Sequence, residues 1–229
     1  MLDLDVKKIL SWVIPDIEDC RHEAERVRLE NPNDSAEQHA RRIVKESRKW
    51  AAGVGAATGM AASPITFLPA AVADAAMMLK LEGKLAGTIA ALLDPQSLED
   101  PDTFRKEILR AVFPGAVSQA LRKFGVRAGE EATKNLVRRI IGREATKEVG
   151  ERAAKLLGIR LTEKAIATKT VPLVGAGIGA AWNWMEIQAV GNRTVAYHLG
   201  LASPATRMRR KVTAFVRENA KRLPRGGPK

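Results

Sequence analysis

The sequence predicts an all-α protein, a compact multi-helix bundle organised around a buried helical hairpin rich in glycine and alanine. Three observations carry that expectation. Apolar residues recur at helical spacing along most of the 229 residues, and no strand-like alternation persists. Proline, asparagine and aspartate fall where helices would begin or end. Two long uncharged stretches, Trp50 to Ala73 and Thr170 to Met185, carry glycines four residues apart, a spacing that lines small residues along one helix face.

Composition narrows the alternatives. With 45% hydrophobic and 28% charged residues the chain has the make-up of a folded globular protein and is long enough to bury a core. Aromatic residues are only 4% and Tyr197 is the single tyrosine, which disfavours an aromatic-rich β-sandwich or a stacking platform for single-stranded nucleic acid. Cys20 is the only cysteine, so neither an internal disulfide nor a cysteine-based zinc cluster can form, and a reducing compartment fits. The amino terminus has acids before its lysines, and its apolar run from Ile9 to Ile14 is short and closed by Pro15. It does not read as a signal peptide.

Taken in order, Leu2, Val6, Ile9, Leu10 and Val13 form one apolar stripe and predict a short amphipathic helix. After Pro15, the charged stretch Asp16 to Glu30 reads as an exposed helix that stops at Asn31-Pro32. Ser35-Ala-Glu-Gln38 is a capping box, in which hydroxyl and amide each satisfy a backbone N–H, so a long helix should begin there. A turn at Pro64 to Pro69 should send the chain back as a second helix from about Pro69 to Leu93. Asp94-Pro95 closes that helix, and Asp100-Pro101 opens the next with an acid at the cap and proline in the first turn. Between Thr103 and Thr170 the sequence predicts several amphipathic helices separated at Pro114, Gly125, Gly142 and Gly158. A further helix ends near Gly200, and Ser203-Pro204 starts a last basic helix that frays into the terminal residues. The resulting division is residues 1–34, amphipathic and acidic helices; 35–202, the main helical domain; and 203–229, a basic helix and tail.

In the first uncharged stretch Ala51, Gly55, Gly59 and Ser63 fall four apart, and in the second Gly175 and Gly179 do the same. Glycine costs up to about 1 kcal/mol relative to alanine inside a helix, so such rows need an offsetting gain, most simply close packing of a facing helix. The two segments should therefore touch. The 24 residues from Trp50 to Ala73 are nominally long enough to span a bilayer, but nine are alanine, three glycine and two proline. The returning helix carries Asp74, Lys80, Glu82 and Lys84, each of which would cost roughly 2.5–3.5 kcal/mol at a bilayer centre. A buried hairpin of a soluble core is the better reading, with conditional insertion as its rival.

No catalytic motif stands out. Gly175, Gly177 and Ala180 satisfy the G-x-G-x-x-A form of the dinucleotide fingerprint, but Pro172 is awkward in the strand that should precede it. No acid follows between Glu186 and Glu218 to hold a ribose. Gly53, Gly55 and Gly59 lack the following G-K-S/T of a phosphate loop, and His22, His39 and His198 fall in no metal-ligand pattern. Asp74 lies between Ala73 and Ala75, and Asn183 between Trp182 and Trp184; polar groups buried in such surroundings need partners. The plain reading is that each satisfies a helix end or neighbouring amide and fixes helix register. The sharper reading is a polar site that binds an ion or a lipid head group. No cofactor and no metal is expected.

Gly55-Ala-Ala-Thr-Gly-Met, then Ala73-Asp74, then Val171-Pro-Leu-Val-Gly-Ala-Gly-Ile-Gly-Ala-Ala-Trp-Asn183 together resemble the EcsC family of bacterial proteins over roughly residues 40–200. The resemblance implies a compact set of helices with a glycine-rich first hairpin, an aspartate after it, and a late P-x-x-G-A-x-x-G-A-x-x-N segment. It would mark Gly55, Gly59, Asp74, Pro172, Gly175, Gly179 and Asn183. No activity is established for that family, whose name comes from an operon encoding an ABC transporter and which is usually linked to membranes or secretion.

Charge completes the functional expectation. The chain carries a net +12, yet residues 1–34 hold five Lys/Arg against nine Asp/Glu, whereas residues 203–229 hold nine Lys/Arg against Glu218 alone. Arg207, Arg209, Arg210, Lys211, Arg217, Lys221 and Arg222 supply most of that basic end and are the candidate anionic-surface residues. The leading expectation is a non-enzymatic protein, cytoplasmic and peripheral to the inner membrane, that binds an anionic lipid surface and a membrane-protein partner. A conditional membrane inserter, pore-forming or effector, is the second, and a nucleic-acid binder without a readout motif the third.

Overall fold

The computed structural model describes residues 6–60, 64–114, 151–152, 155 and 172–201. Among them the chain is an all-α, compact multi-helix bundle with no strand. Apart from residues 151–152 and 155, the expected helices of the 115–171 region and of residues 203–229, with Gly125, Gly142 and Gly158, lie outside the described residues.

Helix α1 (Val6–Val13) places Ile9 and Val13, four residues apart, fully inside the core. Helix α2 (Ile17–Glu30) starts where the Asp16 carboxylate accepts from the amides of Glu18 at 2.8 Å and Asp19 at 3.2 Å, satisfying two of the orphan N–H groups of a helix start. This helix is not simply exposed as its charge suggested. Cys20, Ala24 and Val27, at i, i+4 and i+7, form a narrow buried stripe along it. The stripe is thin enough for the eleven other positions to stay mostly polar.

Helix α3 (Ala36–Gly59) begins at the capping box: the Ser35 hydroxyl accepts from the Gln38 amide at 3.3 Å while Gln38 accepts from the Ser35 amide at 2.6 Å. Helix α4 (Pro64–Leu93) starts a turn and a half before the expected Pro69. Proline is tolerated at a first helical position, because its missing N–H is one of the four without an intrahelical partner, so Pro64 suits the start. A 3-10 turn at Pro95–Leu98 follows, then α5 (Pro101–Val112), capped by Asp100 on the Asp102 amide at 3.0 Å.

Helix α6 (Pro172–His198) ends in a Schellman closure. The Leu201 amide donates to the Ala196 carbonyl at 2.7 Å and the Gly200 amide to Tyr197 at 3.2 Å, with Gly200 at φ +63°, the left-handed conformation that only glycine adopts without strain.

Helix α4 is the centre of the bundle and touches α1, α2, α3, α5 and α6; the most extensive interface is α3 against α6. Contacts of Gly55 with Gly179, Arg48 with Gln188 and Val44 with Gly191 show that α3 and α6 run antiparallel, since residue numbers fall on one as they rise on the other. One core holds residues of every described helix, from Ile9 and Val13 through Leu85, Ile89, Phe104 and Ile108 to Ile187 and Val190. Helices α1 and α2 bury side chains in this same core. Two arginines close helix ends across the bundle. Arg28 of α2 donates to the Ala91 carbonyl at 3.0 Å, and Arg193 of α6 donates twice to the Ala111 carbonyl, at 3.1 and 2.9 Å, each at a C-terminus where orphan carbonyls favour a cation.

Candidate functional site

Glycine fixes where α3 and α6 cross. A Cβ placed on Gly55 would overlap the Gly179 carbonyl, and one on Gly179 would overlap the Gly55 carbonyl, so the two backbones meet with no room for a methyl group. Ala51, one turn before Gly55, is fully buried and Gly59, one turn after, is half-buried. Gly175 lies on α6 one turn before Gly179; its surroundings, like Ser63, are outside the described residues.

Next to this crossing sits a polar cluster drawn from three helices. Asp74 of α4 is 3% exposed and Asn183 of α6 is 0% exposed. The Asn183 side-chain amide donates to Asp74 Oδ1 at 3.2 Å, and the Thr58 hydroxyl of α3 lies 2.9 Å from the same oxygen and 3.0 Å from the Val54 carbonyl. In an apolar interior such bonds are made only at defined separations and angles, so the cluster fixes the register of α3, α4 and α6 relative to one another. Asp74 and Asn183 thus come together, and Thr58 joins them. Nothing in the sequence marks Thr58 for this role, since a threonine hydroxyl within a helix ordinarily bonds its own backbone, as this one also does, and its reach to Asp74 appears only in the fold.

On the outer side of α3 an open groove of about 550 Å³ runs along two adjacent i, i+4 rows, Lys49–Gly53–Ala57 and Trp50–Val54–Thr58, with Met77 of α4 forming a wall. Trp50 is 72% exposed and Met77 49%. Among the described residues a Cβ on Gly53 would meet nothing within 4 Å, so its missing side chain leaves the groove open among them. Lys45 stands exposed one turn before Lys49. Arg48, by contrast, turns toward α6, where its guanidinium lies 4.5 Å from the Trp184 ring and donates to Gln188.

A second polar group gathers at the far end of α6. His198, its side chain 1% exposed, has Nδ1 3.7 Å from Asp94 and Nε2 3.8 Å from Glu107. Tyr197 donates to Glu107 at 3.4 Å and carries the Arg110 guanidinium over its ring at 3.8 Å. Burial pushes the Arg110 guanidinium below its ordinary value, with the Tyr197 and Glu107 charges opposing that shift. This cluster ties α5 to the ends of α4 and α6. Of the other histidines, His39 is buried with Nε2 2.8 Å from the Asn31 carbonyl, and His22 is exposed on α2.

Among the described residues no group of three or more His, Cys, Asp or Glu side chains is placed to hold a metal ion, and no helix is long and apolar enough to cross a membrane. Arg207, Arg209, Arg210, Lys211, Arg217, Lys221 and Arg222 lie outside the described residues. The Gly175–Gly177–Ala180 fingerprint lies inside continuous helix from Pro172 onward, so Gly175 does not form the strand-to-helix turn that dinucleotide binding needs. No family model, curated protein or solved structure matches the chain.

Proposed function

We propose that the chain is a non-enzymatic helical protein that associates peripherally with an anionic membrane surface, as an accessory to a transport or envelope process. The observation that carries this reading is the grouping along the outer face of α3 and the adjoining edge of α4: exposed Trp50 of α3 and Met77 of α4 beside exposed Lys45 and Lys49. Single exposed apolar side chains are ordinary, whereas apolar side chains grouped with lysines suit the boundary between acyl chains and anionic head groups. The net charge of +12, with nine Lys/Arg among residues 203–229, adds long-range attraction to such a surface. The resemblance of the sequence to the EcsC family, which is usually linked to membranes or secretion, is a further ground for this reading, and with it we propose a place on the cytoplasmic side of the inner membrane and a membrane-protein partner.

Flotation with vesicles tests the proposal. The protein should rise with vesicles containing phosphatidylglycerol, rise far less with phosphatidylcholine alone, and lose binding as salt is raised, since counter-ions screen exposed charge within about 10 Å at 0.1 M. Equal failure on both vesicle types at low salt would overturn it. Vesicles that carry bound protein should also retain an entrapped dye; release of the dye would favour conditional insertion instead.

A further inference from the structure

The geometry points to a binding site for one acyl chain of an anionic lipid, the chain lying in the groove over Gly53 and the head group against Lys49. The inference rests on the membrane-surface reading for the source of the lipid and names the contact by which that surface is held.

Gly53 is the starting point. Glycine is the poorest helix former after proline, and Gly55, Gly83, Gly87, Gly179 and Gly191 each have a neighbour that leaves no room for a Cβ. Among the described residues Gly53 has open space above it, so none of their side chains accounts for the glycine. Gly177 on α6 is equally open but lines no part of this groove. At Gly53 the missing side chain keeps the floor low between the Lys49 and Trp50 rows, and any larger residue would stand in the channel.

The dimensions and chemistry suit one chain. A volume of about 550 Å³ falls within the roughly 300–1,000 Å³ of small-molecule sites. From Lys49 to Ala57 the groove follows α3 for about 12 Å, at 1.5 Å per residue. Trp50, Val54, Ala57 and Met77 supply an apolar lining, of which the Met77 thioether is the most adaptable part. Among the described residues that line the groove the charged one, Lys49, stands at one end, and Lys45 lies one turn beyond it on the same face of α3. Two lysines four apart on a helix repel each other, and an anion placed between them relieves that repulsion. An apolar channel with cations at one end selects an amphiphile with a negative head.

The probe is a long-chain carboxylate brominated in mid-chain, used below its micelle concentration and without vesicles, with the brominated alcohol of the same length as its neutral counterpart. Bromine beside an indole quenches its fluorescence, so the carboxylate should quench wild-type fluorescence saturably and Trp50→Phe should abolish most of the change. Gly53→Leu should weaken binding at least tenfold with its thermal midpoint unchanged or raised, whereas Gly177→Leu should bind as wild type does. Lys49→Met should weaken the carboxylate about two- to fivefold, the range of an exposed ion pair, and leave the alcohol unaffected. No saturable quenching of wild type, or equal quenching of Gly53→Leu, overturns the proposal. A concentration-dependent dimer that Gly53→Leu dissolves would assign the groove to a second copy and also overturn it. Flotation of the same proteins separates the two readings: wild type that floats but is not quenched removes the acyl site alone, and loss of both removes the two together.

Discussion

One methyl group has opposite consequences at two glycines a half-turn apart on α3. At Gly55 it would collide with the backbone of Gly179, and overpacking of that kind costs about 1–3 kcal/mol, more than the helix propensity regained. At Gly53 it meets none of the described residues, so only the propensity gain of up to about 1 kcal/mol remains. Gly55→Ala should therefore lower the thermal midpoint by several degrees and Gly53→Ala should raise it by about 2–4 °C; a raised midpoint for Gly55→Ala would mean that the helices do not approach there. The row containing Gly55 was legible because its members fall four apart. The equally spaced Gly83 and Gly87 on α4 stand among charged residues, Lys80, Glu82 and Lys84, so no uncharged run marks them in the sequence. A Cβ on Gly83 would overlap the Val13 carbonyl, and one on Gly87 would meet Cys20, Phe104 and Pro15. Cys20 itself is sealed by this contact. Burial pushes its thiol up to about 12, against a smaller downward effect of the Lys84 charge. At pH 8 the native protein should resist iodoacetamide for as long as it stays folded and react promptly in denaturant. Because the unfolded thiol ionises near pH 9 and the folded one only near 12, this group leaves stability unchanged below pH 9 and lowers it as pH rises from 9 toward 12. Cys20→Ala should remove that part of the alkaline decline.

At the scale of elements, local signals were read best where a side chain satisfies the backbone of its own helix. Ser35 with Gln38 at α3, Asp100 before Pro101 at α5, and Asn31-Pro32 after α2 involve neighbours within a few residues, so spacing alone reveals them. The Thr103 hydroxyl, and after it the Asp102 amide, also hold the Asp100 carboxyl below its ordinary value, consistent with a charged cap. Ser35→Ala should destabilise the fold by about 1 kcal/mol, measured as a lower urea midpoint at unchanged slope, and Ser35→Asp should restore most of it. No change with Ser35→Ala would show that the first turn of α3 frays without cost. Signals that depend on tertiary context are weaker. Either Pro64 or Pro69 can open a helix, so the sequence leaves the start of α4 five residues uncertain, and the charges of α2 mask its buried stripe. Arg28 closing α4 from 63 residues away leaves no local trace at all.

In the whole molecule, α4 is flanked by α1, α2 and α5 and by the antiparallel pair α3 and α6, and the Thr58–Asp74–Asn183 cluster joins that pair to α4. Polarity in an apolar run made Asp74 and Asn183 conspicuous in the sequence, but their pairing spans 109 residues and had to come from the fold. Nor could spacing reveal the groove, which exists because Met77 of α4 stands opposite a small-residue row of α3. Removing Asp74 takes away the acceptor of the Asn183 side-chain amide, and losing a buried hydrogen bond of this kind costs about 1–3 kcal/mol. Asp74→Ala and Asn183→Ala should each lower stability by that order. The double mutant should fall short of their sum by about 0.5–3 kcal/mol, the coupling expected of side chains in direct contact. A sum that is strictly additive would mean that the two residues do not share a bond. The same variants bear on function, because this cluster holds the α3–α4 hairpin against α6. If binding at the membrane is peripheral, Asp74→Ala should still float with anionic vesicles and leave their dye entrapped. If the hairpin enters lipid after leaving the bundle, loosening this tie should lower the barrier to leaving, and dye release faster than wild type would decide for insertion.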